Sequence, residues 1–133
     1  MSERNPDAAI PPGRAESSIA FTRAMGAVET RCAQIRTAIA LGKLDGIEHL
    51  FQHAGNVWLA GRTACRHLHE RGNAQSPYCV SARELLRSNG TEILKLIDLA
   101  TTESTELQGI LRDLRETLTR VMKEQFLSSP EPR

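Results

Sequence analysis

Small and apolar residues recur at alternating steps of three and four along three stretches of this chain. The first row is Phe21, Met25, Val28, Cys32, Ile35 and Ile39, and the second is Ile47, Leu50, Ala54, Val57, Gly61, Ala64 and Leu68. The third runs Leu86, Gly90, Ile93, Ile97, Ala100, Ser104, Leu107, Leu111, Leu114, Leu118 and Val121. A spacing that averages about 3.5 residues holds a narrow stripe on one side of an α-helix, and that stripe leaves water only when another helix covers it. The rows therefore specify an all-α protein, a helical bundle with coiled-coil character.

A length of 133 residues fits one domain with a real core. Aromatic residues make up only 4% of the chain, so Leu, Ile and Val must supply most of the packing, which suits helices better than a β-sandwich. The formal net charge of +1 gives no global field for nucleic acid, a membrane surface or an acidic substrate. The three cysteines, Cys32, Cys65 and Cys79, cannot all pair within one chain. They are expected to be buried, reduced thiols in a cytoplasmic protein.

Residues 1–14 are polar and carry Pro6, Pro11 and Pro12, which predicts a disordered leader without the features of a signal peptide. Residues 15–127 then form the helical bundle domain, and 128–133 a flexible tail. No stretch approaches the roughly 20 apolar residues that cross a bilayer.

Within the domain, the first helix is expected from about residues 15–18 to Leu41, where Gly42 offers the left-handed conformation that ends helices. Asp45 and Glu48 have the spacing of a capping box, which starts the second helix there and runs it to Arg71. So short a connection predicts an antiparallel helical hairpin. Residues 72–78 have loop composition, and Ser81 with Glu84 suggests the cap of a short helix over 81–88. Asn89-Gly90 reads as a turn, with Thr91 capping a long C-terminal helix to about Leu127. Residues 101–105 are weak helix formers, but the third row passes through them in phase, which favours one continuous rod. The expected architecture is thus a hairpin, a short helix and a long C-terminal helix in a three- to four-helix bundle. The rod would overhang its partners, and a second copy is the expected cover, making a homodimer.

Few constellations suggest chemistry. His49 and His53, and likewise Cys65 and His69, stand four apart on the second helix, a spacing that places two metal ligands on one face. Cys79 approaching Cys65 and His69 would complete a candidate set for a metal-dependent sensor or enzyme. Arg62, Arg66 and Arg71 form a modest basic strip, which a nucleic-acid-associated regulator would need. No phosphate-binding loop, nucleophile elbow, paired-carboxylate motif or dinucleotide fingerprint occurs, so no catalytic residue and no cofactor are assigned.

The preferred expectation is a non-enzymatic protein–protein interaction module, of the adaptor, regulator or secretion-chaperone kind, acting through an apolar helix stripe. Leu107, Leu111, Leu114, Leu118 and Val121 have the i, i+4, i+7 pattern by which a helix anchors a partner helix, and they are the candidate partner-binding residues. Metal sensing through Cys65, His69 and Cys79, or nucleic-acid association, are the alternatives.

Overall fold

The computed structural model describes residues 13–71, 75–124 and 127. The expected leader up to residue 12, the tail from 128 and positions 72–74 of the expected loop lie outside the described residues. Everything regular among the described residues is helical: α1 (Arg14–Ala40), α2 (Ile47–Arg71), α3 (Pro77–Glu103), α4 (Thr105–Ile110) and α5 (Arg112–Met122).

The first connection follows the glycine signal. Gly42 has φ 70°, and its N–H and that of Lys43 bond to the carbonyls of Ile39 and Ala38, which closes the end of α1. A second left-handed glycine, Gly46 with φ 76°, precedes α2, so the helix begins at Ile47, two residues after the expected cap at Asp45. The hairpin is antiparallel, because Gly61 of α2 faces Ala24 and Met25 of α1 while His53 meets Arg31. A Cβ on Gly61 would stand 2.5 Å from Met25 Cε and 3.1 Å from Ala24 Cβ, so a glycine is what lets these helices approach.

The third helix departs most from expectation. It is not a short helix over 81–88 followed by a turn; it runs unbroken from Pro77 to Glu103, through Asn89-Gly90. Its start is Ser76, whose side chain accepts the Cys79 N–H at 3.2 Å, with Pro77 in the first turn where a missing N–H costs nothing. Ser81 and Glu84 are interior positions.

Gly90 is helical because of what packs on it. Its added Cβ would lie 2.9 Å from Trp58 Cζ2 and 2.8 Å from Met122 Sδ, so the indole and the thioether rest on the bare backbone of α3. One turn earlier, Trp58 Nε1 donates to the Leu86 carbonyl at 2.8 Å. Trp58 and Phe51 are fully buried, and the hydrogen bond spares the indole N–H the roughly 1–3 kcal/mol penalty of an unpaired buried donor.

The second correction concerns the end of the chain. The single long C-terminal helix is broken at Ser104, which is extended with φ −148° and ψ 118°. Just before it, the Thr101 and Thr102 hydroxyls bond back to the carbonyls of Ile97 and Asp98, both at 2.8 Å, a competition that weakens the helical ladder. The described residues of the segment 105–124, together with Leu127, double back along α3; this part of the chain is called the arm. Arg115 pairs with Asp98, Met122 reaches Gly90, and Arg87 donates to the Leu127 carbonyl. It also touches α2, where Leu114 covers Gly55. The apolar row therefore has no overhang to be covered.

Helical glycine ordinarily costs stability relative to alanine, by about 0.5–1 kcal/mol. Gly26, with no atom within 4 Å of an added Cβ, should gain that much as Gly26→Ala. Gly90→Ala should instead lose about 1–3 kcal/mol by overpacking against Trp58. Urea midpoints check both, and a Gly90→Ala variant as stable as Gly26→Ala would refute the close packing.

Candidate docking groove

Helices α1, α2 and α3 all touch one another, and the arm lies against α2 and α3. The contact between α1 and α3 leaves a groove on the outside. Ser18 Oγ and Tyr78 OH share a hydrogen bond at one end, and Arg36 Nη1 donates to Glu92 Oε2 at 2.7 Å further along. Glu29, Cys32, Arg36, Ser88, Asn89 and Glu92 line a depression between the helices. Asn89, mostly buried, donates its amide to the Met25 sulfur at 3.2 Å on the floor.

Helical spacing extends both flanks. Thr22, Gly26 and Ala33 share the face of α1 that carries Glu29 and Arg36, and all three are exposed and small. Tyr78, Ser81, Leu85, Ser88 and Glu92 share a face of α3, on which Tyr78 is 49% and Leu85 39% exposed. Ile19, 53% exposed, stands next to Ser18 at the Tyr78 end. The α1 flank is thus smooth, and the α3 flank carries the larger Tyr78 and Leu85.

The residues expected to bind a partner lie elsewhere. Leu107, Leu111, Leu114, Leu118 and Val121 are all buried, each 7% exposed or less, and belong to the one core cluster that includes α1, α2 and α3. The groove residues of α3 carry a sequence signal that a loop over 72–78 hides: Tyr78, Leu85 and Glu92 recur every seven positions.

Polar groups are mostly committed within the fold. Glu124 sits half-buried between Arg62 and Arg66, at 2.5 and 3.3 Å. Burial pushes its carboxyl up, but the hydrogen bonds and charges of Arg62 and Arg66 outweigh that and hold it below the ordinary range. The basic strip of α2 is thereby neutralised at two of its three positions.

Among the described residues no group of three or more His, Cys, Asp or Glu side chains is placed to hold a metal ion, so Cys65, His69 and Cys79 do not assemble as the set the spacing suggested. His69 Nδ1 lies 3.0 Å from the Arg83 guanidinium, and burial together with that charge holds the imidazole below its ordinary pKa. His53 Nδ1 accepts from Arg31 Nε at 2.7 Å. The three thiols are free and buried. Burial pushes Cys32 up to about 11, helped by the Glu92 charge, and Cys65 up to about 12. The Cys79 thiol donates to the Leu68 carbonyl.

No helix among the described residues is long and apolar enough to cross a membrane. No protein-family model, no curated protein and no solved structure matches this chain.

Two measurements follow from these environments. Thiols held at such high pKa present little thiolate, so iodoacetamide at pH 8 should alkylate Cys32 and Cys65 far more slowly in the native protein than in urea; equal rates would contradict their burial. Glu124→Gln should lose about 1 kcal/mol near neutral pH. A carboxyl depressed on folding stabilises above its unfolded pKa, and that contribution disappears as pH falls through the folded value, so the gap between variant and wild type should close in acid. A gap that is absent at pH 7, or that widens on acidification, would rule the interaction out as a source of stability.

Proposed function

We propose that this chain is a non-enzymatic helical protein–protein interaction module, an adaptor, regulator or chaperone, whose partner lays an amphipathic helix along the α1/α3 groove. The observation that carries the proposal is the pairing of exposed apolar side chains, Tyr78 and Leu85, with a facing flank of small residues around Gly26, where an added side chain would meet nothing. A partner helix needs anchors at i, i+3 or i+4, and i+7 to engage such a groove. Tyr78 and Leu85 are seven apart and match that repeat.

The partner face is placed here, and not on the Leu107–Val121 row, because that row is already engaged by the chain's own helices. A partner with apolar anchors and a basic residue set against Glu29 would fit best. Neither alternative gains support: the metal set is not assembled, and Arg62 and Arg66 are bound to Glu124.

Two surface substitutions test the proposal. Leu85→Asp removes a knob and Gly26→Leu fills the smooth flank; both positions have room, so stability should change by no more than about 1 kcal/mol. Affinity capture from native cells should recover a partner with wild type and lose it with each variant at unchanged circular dichroism. Recovery of the same partners by all three proteins would overturn the assignment of the groove.

A further inference from the structure

The arm joins the rest of the molecule through one non-helical residue, Ser104, and this residue is not held by its side chain: it makes no cap hydrogen bond to the start of α4. Nothing in the local sequence demands a reversal. Residues 91–108 contain neither Gly nor Pro, and Ser104 itself is in ordinary extended backbone. Yet Leu86, Ile93, Ile97 and Ala100 before the break, and Leu107, Leu111, Leu114, Leu118 and Val121 after it, remain in one helical phase. A chain that only ever turned back at Ser104 would have no need of that phase; a straight helix requires it.

From these observations we propose that Ser104 is a hinge for exchange of the arm between two copies of this chain. In the exchanged form Ser104 becomes helical, α3 continues into α4 and α5 as a single rod, and the arm packs into the α2/α3 groove of the second copy. Away from the hinge, the arm's contacts to α2 and α3 are remade between chains: Leu114 on Gly55, Met122 on Gly90, Arg62 and Arg66 on Glu124, Arg115 on Asp98. The energetic difference between the forms lies at the hinge, where the bond from Gln108 Nε2 to the Thr101 carbonyl is given up, and in the entropy of association, and exchange of an identical element is a low-cost route to a dimer. The rods run side by side and antiparallel where they cross, in the register set by Asp98 with Arg115. That register brings Thr105 opposite Gln108 and Thr101 opposite Arg112, without like charges face to face. The weak helix formers Thr101, Thr102, Ser104 and Thr105 bias the hinge toward the closed monomer.

The experiment alters only the hinge. Wild type, the triple variant Thr102→Ala, Ser104→Ala, Thr105→Ala, and Ser104→Gly are refolded from urea at high concentration, diluted, and weighed by size exclusion with light scattering. The triple variant should raise the dimer fraction several-fold over wild type, and Ser104→Gly should lower it. Two differently tagged dimer populations should exchange subunits only after unfolding, because the arms are threaded across. Dimer fractions that are equal in wild type and Ser104→Gly, a triple variant that folds and stays monomeric at every concentration, or dimers that exchange freely when mixed while native would each overturn the proposal. Loss of partner capture in the groove variants has no bearing on this result, so the two proposals fail separately.

Discussion

The seat of Trp58 on Gly90 is the contact from which the rest of the architecture follows. The indole needs a flat surface and an acceptor, and α3 provides both only if it is a continuous helix with a bare Cα at residue 90 and a carbonyl at residue 86 aimed inward. Met122 meets the same Cα from the arm. One glycine thus locates three elements relative to each other. Gly61 and Gly55 do the same at the crossings of α2 with α1 and with the arm. Close approach at three points allows a chain poor in aromatic residues to reach a dense core without a sheet.

This packing explains where the sequence could and could not be read. The first two helices were legible because their signals are local and agree: periodic apolar rows, and a left-handed glycine at Gly42. Asn89-Gly90 has the letters of a turn, but those letters report only backbone preference, and tertiary contact with Trp58 overrides it. Ser76-Pro77 was hidden by the opposite error. A serine before a proline starts a helix as well as it makes a loop, and only the cap bond to Cys79 distinguishes them. At Ser104 the conflict lay between weak propensity and strong rhythm. In the closed chain, propensity and hydroxyl back-bonding prevail, because reversal lets the arm bury its leucines on α2 and α3 of the same chain.

The candidate site was less legible than the fold. Apolar periodicity is longest along the row that ends in Leu107, Leu111, Leu114, Leu118 and Val121, and the core absorbs that row. An exposed groove has a subtler signature: a sparse seven-residue repeat on α3 opposite small residues on α1. It depends on α3 beginning at Pro77, which puts Tyr78 on a helix and not in a loop. Polar residues whose spacing suggests chemistry are engaged within the fold: Arg62 and Arg66 by Glu124, His53 by Arg31, His69 by Arg83.

Helix α3 runs unbroken through Asn89-Gly90, and the chain opens at Ser104. Residue-resolved amide hydrogen exchange on the monomer tests this most directly, because a helix interior and a chain break differ by orders of magnitude in protection. The structure requires strong protection at Leu86 to Leu94, including Gly90, and rapid exchange at Thr105 and Glu106, the first N–H groups beyond the break. Rapid exchange at residues 89–91 together with protection at Thr105 and Glu106 would place the turn at Asn89-Gly90 instead and rule out a continuous α3.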